Sequence, residues 1–144
     1  AGVGTDSVVI GPSASAAGIA SSAFGYSTSA AGDYSVAVGR LASAGGAQST
    51  AVGRDASAAG TDGSAFGREA SAGGAYSTAL GRYSSAGGSF SAAIGSLASA
   101  AGTESVAIGR YASATASGSV AIGKSVTAAT VDTTSVNNLE VYCY

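Results

Sequence analysis

Residues 35–48 read SVAVGRLASAGGAQ, and this stretch contains the pattern that decides the fold. Its first glycine, Gly39, recurs every 14 residues without insertion or deletion, nine times in all. These repeat glycines are Gly11, Gly25, Gly39, Gly53, Gly67, Gly81, Gly95, Gly109 and Gly123. Because the register never drifts, each residue has a fixed structural role, which indicates stacked coils rather than a silk-like or disordered tract.

Other positions of the unit are equally regular. An alanine lies two residues before the repeat glycine in eight copies, and a serine lies four residues before it in eight copies. An alanine preceded by Ser or Thr always lies five residues after it, and a second glycine lies seven residues after it in seven copies. A larger apolar residue always directly precedes it, and we call this column the apolar ladder: Ile10, Phe24, Val38, Val52, Phe66, Leu80, Ile94, Ile108 and Ile122.

The unit predicts two short β-strands per coil. In residues 105–108, Ser105 and Ala107 alternate with Val106 and Ile108, which is the period of a strand and not of a helix. The segment after the glycine alternates in the same way, and the glycines mark bends where φ is positive. We therefore expect parallel stacking of coils at about 4.8 Å, so that nine coils span roughly 40 Å.

The two faces of the first strand allow two arrangements. The apolar ladder can fill the coil interior, whereas the uniform alanine column suggests close approach to another chain. The sequence leaves open which column faces inward. Because a coil of 14 residues buries little surface, oligomerisation is expected in either case.

Three copies of the unit resemble the SVAIG repeat of YadA-like head domains of trimeric autotransporter adhesins. They are residues 35–39, 105–109 and 119–123, which read SVAVG, SVAIG and SVAIG. The resemblance covers residues 5–130 and implies an all-β fold, a left-handed parallel β-roll assembled as a homotrimer. It also implies a non-enzymatic, extracellular module that adheres to a host extracellular-matrix protein, cell or surface glycan.

The repeat divides the chain into nine coils over residues 1–130 and a C-terminal part over residues 131–144. Val136 and Asn137 fall on the apolar and glycine positions of a partial tenth coil. We expect the larger side chains that follow to cap the stack: Leu139, Val141, Tyr142 and Tyr144. This part lacks the neck that follows the head in the family's adhesins. Two sources are therefore both compatible with the sequence, an adhesin displayed at an outer membrane and a phage tail-fibre segment displayed on a virion.

All six basic residues directly follow a repeat glycine: Arg40, Arg54, Arg68, Arg82, Arg110 and Lys124. Stacking makes them a column, which is either an anion- or glycan-facing stripe or a solvated edge that keeps the rod soluble. Asp55, Glu69 and the acids five residues before the glycine, Asp6, Asp62, Glu104 and Asp132, are expected to be its ion-pair partners. Five aromatic side chains are candidate contacts for protein or glycan, or else cover bends or pack between chains: Tyr34, Tyr76, Tyr83, Phe90 and Tyr111.

Composition disfavours several classes of function. The absence of histidine excludes Ser-His and Cys-His catalysis, and no metal-ligand cluster or cofactor is expected. A net charge of −2 gives no attraction to nucleic acid, and no apolar run is long enough for membrane insertion. Cys143 is a free thiol or pairs between chains. The serine ladder allows an ice-binding solenoid as an alternative of another class.

Overall fold

The computed structural model describes residues 3–137, which form a β-solenoid without helices. Strands of three residues are β1 (Val8–Ile10), β3 (Ser22–Phe24), β5 (Val36–Val38), β7 (Thr50–Val52), β9 (Ser64–Phe66), β11 (Thr78–Leu80), β13 (Ala92–Ile94), β15 (Val106–Ile108), β17 (Val120–Ile122) and β19 (Thr134–Val136). Strands of two residues are β2 (Ser15–Ala16), β4 (Ser29–Ala30), β6 (Ser43–Ala44), β8 (Ser57–Ala58), β10 (Ser71–Ala72), β12 (Ser85–Ala86), β14 (Ser99–Ala100), β16 (Ser113–Ala114) and β18 (Thr127–Ala128).

Each strand pairs in parallel with its equivalent one coil away. The three-residue strands form one ten-stranded sheet and the two-residue strands form a nine-stranded sheet. The register equals the repeat, since Val106 lies opposite Val120 and Ala107 opposite Ala121. The predicted all-β parallel solenoid with 14-residue coils is therefore confirmed.

Alanine fills the interior between the two sheets. Ala37 of β5 and Ala44 of β6 are fully buried, and the same positions of the other coils are buried almost throughout. The apolar ladder faces outward, with Ile10 60% and Ile108 37% exposed. The sequence left open which column faces inward, and the structure shows that the alanine column is internal; the core of the described residues is otherwise made of small side chains, with Val126 its largest apolar member.

Two turns close each coil, and both place a residue in the left-handed region. The first begins at the repeat glycine and the second at the glycine seven residues later, as at Gly39 and Gly46. The third residue of each turn has positive φ, 58° at both Leu41 and Gln48, as a type II turn requires. The repeat glycine also has positive φ, +131° at Gly39, as predicted.

The turns stack by hydrogen bonds in the same way as the strands. The Leu41 N–H donates to the carbonyl of Tyr26 at 2.9 Å, and the Tyr34 N–H donates to that of Ile19 at 2.7 Å. Because strands and turns are both bonded from coil to coil, the turn side chains form straight columns along the rod.

The end of the described chain continues the stack. Strand β19 pairs with β17, with Val136 opposite Ile122. The Asn137 N–H donates to the carbonyl of Ile122 at 3.2 Å, which is the bond that repeat glycines make elsewhere. The expected cap residues Leu139, Val141, Tyr142 and Tyr144, and also Cys143, lie outside the described residues.

Candidate functional surface

The turns give the solenoid two opposite edges. The basic edge consists of the first and second residues after each repeat glycine, and the acidic edge consists of the eighth and ninth. The structure brings all six basic residues together on the basic edge, where each is exposed: Arg40, Arg54, Arg68, Arg82, Arg110 and Lys124.

The middle of the basic edge is neutralised within the chain. Arg54 pairs with Asp55 at 3.2 Å and with Glu69 at 3.5 Å, and Arg68 pairs with Glu69 at 3.1 Å. These are the pairs expected of the two acids that directly follow an arginine. Across residues 3–137, the other four basic side chains of the column form no ion pair, namely Arg40, Arg82, Arg110 and Lys124.

Two of the five candidate aromatic residues contact this basic column. Arg68 Nη2 donates to the Tyr83 hydroxyl at 2.9 Å. The guanidinium carbons of Arg68 and Arg82 lie 5.3 and 5.0 Å from the centroid of the Tyr83 ring, and that of Arg110 lies 4.9 Å from the Tyr111 ring. These are cation–π distances, so the rings of Tyr83 and Tyr111 pack against arginine side chains of the edge.

The other three aromatic residues lie on the acidic edge. Tyr76 and Phe90 stack in consecutive coils, with ring centroids 4.9 Å apart and planes inclined by 7°. Tyr34 lies on the same edge, separated from this pair by the coils of Gln48 and Asp62. All three rings are more than half exposed, at 55–61%.

The acids of the repeat lie mainly on the acidic edge. They are Asp6, Asp33, Asp62, Glu104 and Asp132. Four of them were expected to pair with the arginine column, but within residues 3–137 none does, because their turn lies half a coil away on the opposite side. Asp33 was missed in the sequence, although its position eight residues after Gly25 places it beside the acid column.

The serine column four residues before the repeat glycine is internal. Ser21 and Ser105 are fully buried, and their hydroxyls donate to the carbonyls of Gly18 and Gly102 at 2.8 and 2.6 Å. These two hydroxyls satisfy the first carbonyl of the adjacent turn, whereas four others in the column are buried without a hydrogen-bond partner: Ser35, Ser49, Ser77 and Ser91. This column is therefore internal and does not present hydroxyls to water. The hydroxyl column that faces outward is the Ser or Thr four residues after the repeat glycine, as at Ser85 and Thr127.

The described surface has no concave chemical site. Residues 3–137 contain no pocket and no group of three or more His, Cys, Asp or Glu residues that would hold a metal ion. Within the same range, no helix is sufficiently long and apolar to cross a membrane. The exposed features are thus two charged edges and two sheet faces, which are suited to contact between macromolecules.

Comparisons with known proteins agree with this architecture. A search of curated protein sequences returned no match. The crystal structure of the collagen-binding domain of the Yersinia adhesin YadA superimposes with a TM-score of 0.81 at 28% identity, over 97% of this chain and 86% of that domain. The family model of the YadA head domain repeat matches residues 3–28, 16–42, 44–70, 58–84, 72–98 and 100–125. The chain therefore belongs to the family of YadA head domain repeats, the structural head domains of adhesins.

Proposed function

We propose that this chain is a non-enzymatic, homotrimeric module of an extracellular surface fibre that adheres to host cells or extracellular matrix. The observation that carries the proposal is the match of 97% of the chain to the collagen-binding domain of an adhesin. A matrix protein is accordingly the first ligand class to test, with a surface glycan as the second. Display occurs at the outer membrane or on a virion.

The outward apolar ladder supports the trimer. Leu80, Ile94, Ile108 and Ile122 are 36–47% exposed and lie in consecutive coils of the same sheet. Val106 and Val120 flank this ladder on the same face, because they alternate with the inward alanines. A continuous apolar stripe of this kind marks an interface. Three chains that turn these sheets toward a common axis bury all three stripes at once.

The mechanism of adhesion is multivalent. Each coil repeats the same surface at about 4.8 Å along the rod, and the trimer presents three copies of every column. Weak contacts to a repetitive matrix protein then add through effective concentration, without any catalytic step.

Light scattering and matrix binding test the proposal together. We expect a β-rich circular dichroism spectrum and a mass of about three times the 13.3 kDa chain, with saturable binding to immobilised matrix protein. A β-rich monomer would contradict the trimer but would be consistent with the β-solenoid fold. A trimer that binds neither matrix proteins nor host-cell glycans contradicts adhesion. A thermal-hysteresis assay on the same sample is expected to be negative and separates the ice-binding alternative.

A further inference from the structure

The two edges of the solenoid carry opposite charge. The basic edge holds six basic residues and two acidic ones, Asp55 and Glu69, for a net charge of +4. The acidic edge holds five acids and no base. The remaining acid of the chain, Glu140, lies outside the described residues. A chain of net charge −2 thus has strongly polarised sides.

The charges also match by level along most of the rod; Asp6 is the exception, since Pro12 and Ser13 stand at its level. Glu104 lies half a coil from Arg110, and Asp132 lies half a coil from Lys124. Asp62 lies half a coil from both Arg54 and Arg68, which already pair with acids of their own edge. Half a coil corresponds to about 2.4 Å along the rod axis, which a long arginine side chain spans easily. Glu104, Asp132 and Asp62 therefore each have a base at their own height, on the other edge.

The same matching extends to the aromatic stack. Tyr76 and Phe90 lie half a coil before and after Arg82, and Arg82 forms no ion pair within residues 3–137. A guanidinium facing these rings makes a cation–π contact. No acidic residue lies on the acidic edge at the height of Arg82. Tyr76 and Phe90 occupy that height instead.

These pairs do not meet within one chain. Glu104 and Arg110 are separated by strand β15, whose three residues alone span about 10 Å at about 3.3 Å per residue. This separation exceeds the Debye length of about 8 Å at physiological salt. The matched charges can therefore attract one another only if the basic edge of one chain faces the acidic edge of another chain at the same height.

We infer that the basic edge of one protomer docks in register onto the acidic edge of the next protomer. The inference rests on the trimer proposed above, because a three-fold ring around an axis parallel to the rod sets unlike edges side by side without axial shift. Such contacts are heterologous and close after three copies. Glu104 then faces Arg110, Asp132 faces Lys124, and the stack of Tyr76 and Phe90 faces Arg82 of the adjacent chain.

A charge-swap cycle on the full chain tests this docking. Glu104→Arg and Arg110→Glu are each expected to raise the trimer dissociation constant on the order of tenfold, since exposed pairs are individually weak and three act together. The double variant Glu104→Arg/Arg110→Glu is expected to restore the wild-type value. The quantity is measured by light scattering over a dilution series, and circular dichroism checks folding. At about 1 M salt, where the Debye length is ~3 Å, the single variants are expected to approach the wild type.

The control is Asp6→Arg, which makes the same change of charge in the same column at a level without a base, where Pro12 and Ser13 stand. It is expected to leave the dissociation constant unchanged. If either reversed variant loses its β-rich spectrum, Glu104→Gln and Arg110→Gln provide the same cycle with neutral side chains. In that cycle each single variant is expected to weaken the trimer, and the double variant is expected to weaken it no further.

Two results would overturn the inference in different ways. A wild-type chain that is monomeric at every concentration removes the trimer itself. A wild-type trimer that the single and double variants weaken additively, or not at all, leaves the trimer and removes the edge docking. In that second case, retention on a heparin column is measured next. If Arg110→Glu abolishes retention both alone and together with Glu104→Arg, the basic edge binds an anionic glycan.

Discussion

At the scale of the residue, the second glycine of the unit is fixed by the backbone of the next coil. A Cβ built on Gly74 would lie 2.0 Å from the carbonyl oxygen of Gly88. Its neighbour Gly73 would meet nothing within 4 Å. Ala116 occupies this column near the end of the stack, where it is half-buried rather than buried like the glycines. Close contact between coils, rather than turn conformation, selects glycine here.

Gly74→Ala is expected to destabilise the fold by about 1–3 kcal/mol, because the coils must separate to admit the methyl group. Gly73→Ala adds the same methyl to open space at a position without positive φ, and it is expected to be neutral or to stabilise by up to about 1 kcal/mol. Urea denaturation followed by circular dichroism compares the two. Equal effects would show that the coils are not in close contact.

The left-handed turn positions store conformational strain. Eighteen described residues other than glycine have positive φ, among them Ala20 at 50°, and each L-residue there costs roughly 1–2 kcal/mol. Their side chains form the exposed columns of the two edges. The strained positions are therefore the ones whose side chains can contact a ligand or another chain. Ala20 has only a methyl group to present.

Ala20→Gly is therefore expected to stabilise the chain by up to about 1 kcal/mol, since relief of strain exceeds the added entropy of the unfolded state. Ala17→Gly, at an exposed position without positive φ, is expected to destabilise it by about 0.5–1 kcal/mol. Thermal unfolding of both variants is the measurement. A lower midpoint for Ala20→Gly would contradict the assigned turn conformation.

At the scale of the element, each three-residue strand has one inward side chain between two outward ones. In β11, Ala79 is fully buried, whereas Thr78 and Leu80 face outward. Valine already occupies the outward column of Thr78 in β1, β5, β15 and β17. The two columns therefore tolerate different side-chain sizes.

Ala79→Val is expected to cost about 1–3 kcal/mol, because the interior has no room for two more methyl groups. Ala92→Val makes the same change in the outward column of Thr78, one coil further along in β13, and is expected to be neutral in the single chain, where the strand also favours a β-branched residue. Equilibrium unfolding of the two variants side by side reveals which column is internal. The reverse order would place the apolar ladder inside.

At the scale of the whole molecule, the solenoid buries small side chains and exposes large ones. Its interior is a column of alanine and serine, while the apolar ladder stays on the surface of one sheet. The isolated rod thus leaves its largest apolar side chains in water, and the proposed trimer would bury them. The charged edges border this face on both sides, and in the docking inferred above they set the register of the trimer.

Ile94→Ser combined with Ile108→Ser is expected to yield a β-rich monomer, because the coil interior is untouched while the shared apolar stripe is interrupted. Ile108→Val introduces the residue that already occupies this column as Val38 and Val52, and this variant is expected to remain a trimer. Light scattering with circular dichroism on each sample distinguishes these states. A trimer that survives both serine substitutions would place the interface on another face.

The sequence alone determines the coil, the two strands within it, the parallel register and the columns, since a repeat of 14 residues without a gap permits one stacking scheme. It also places all six basic residues in one column, which the structure sets on one edge. The direction of each column had to come from the tertiary structure. Hydrophobicity favours Ile108 in the interior, but in the structure Ala107 is fully buried and Ile108 is 37% exposed, since so narrow a coil holds mainly small side chains. The opposition of the two edges was likewise decided in three dimensions, because a distance of half a repeat along the chain becomes the full width of the solenoid once β15 is extended between Glu104 and Arg110.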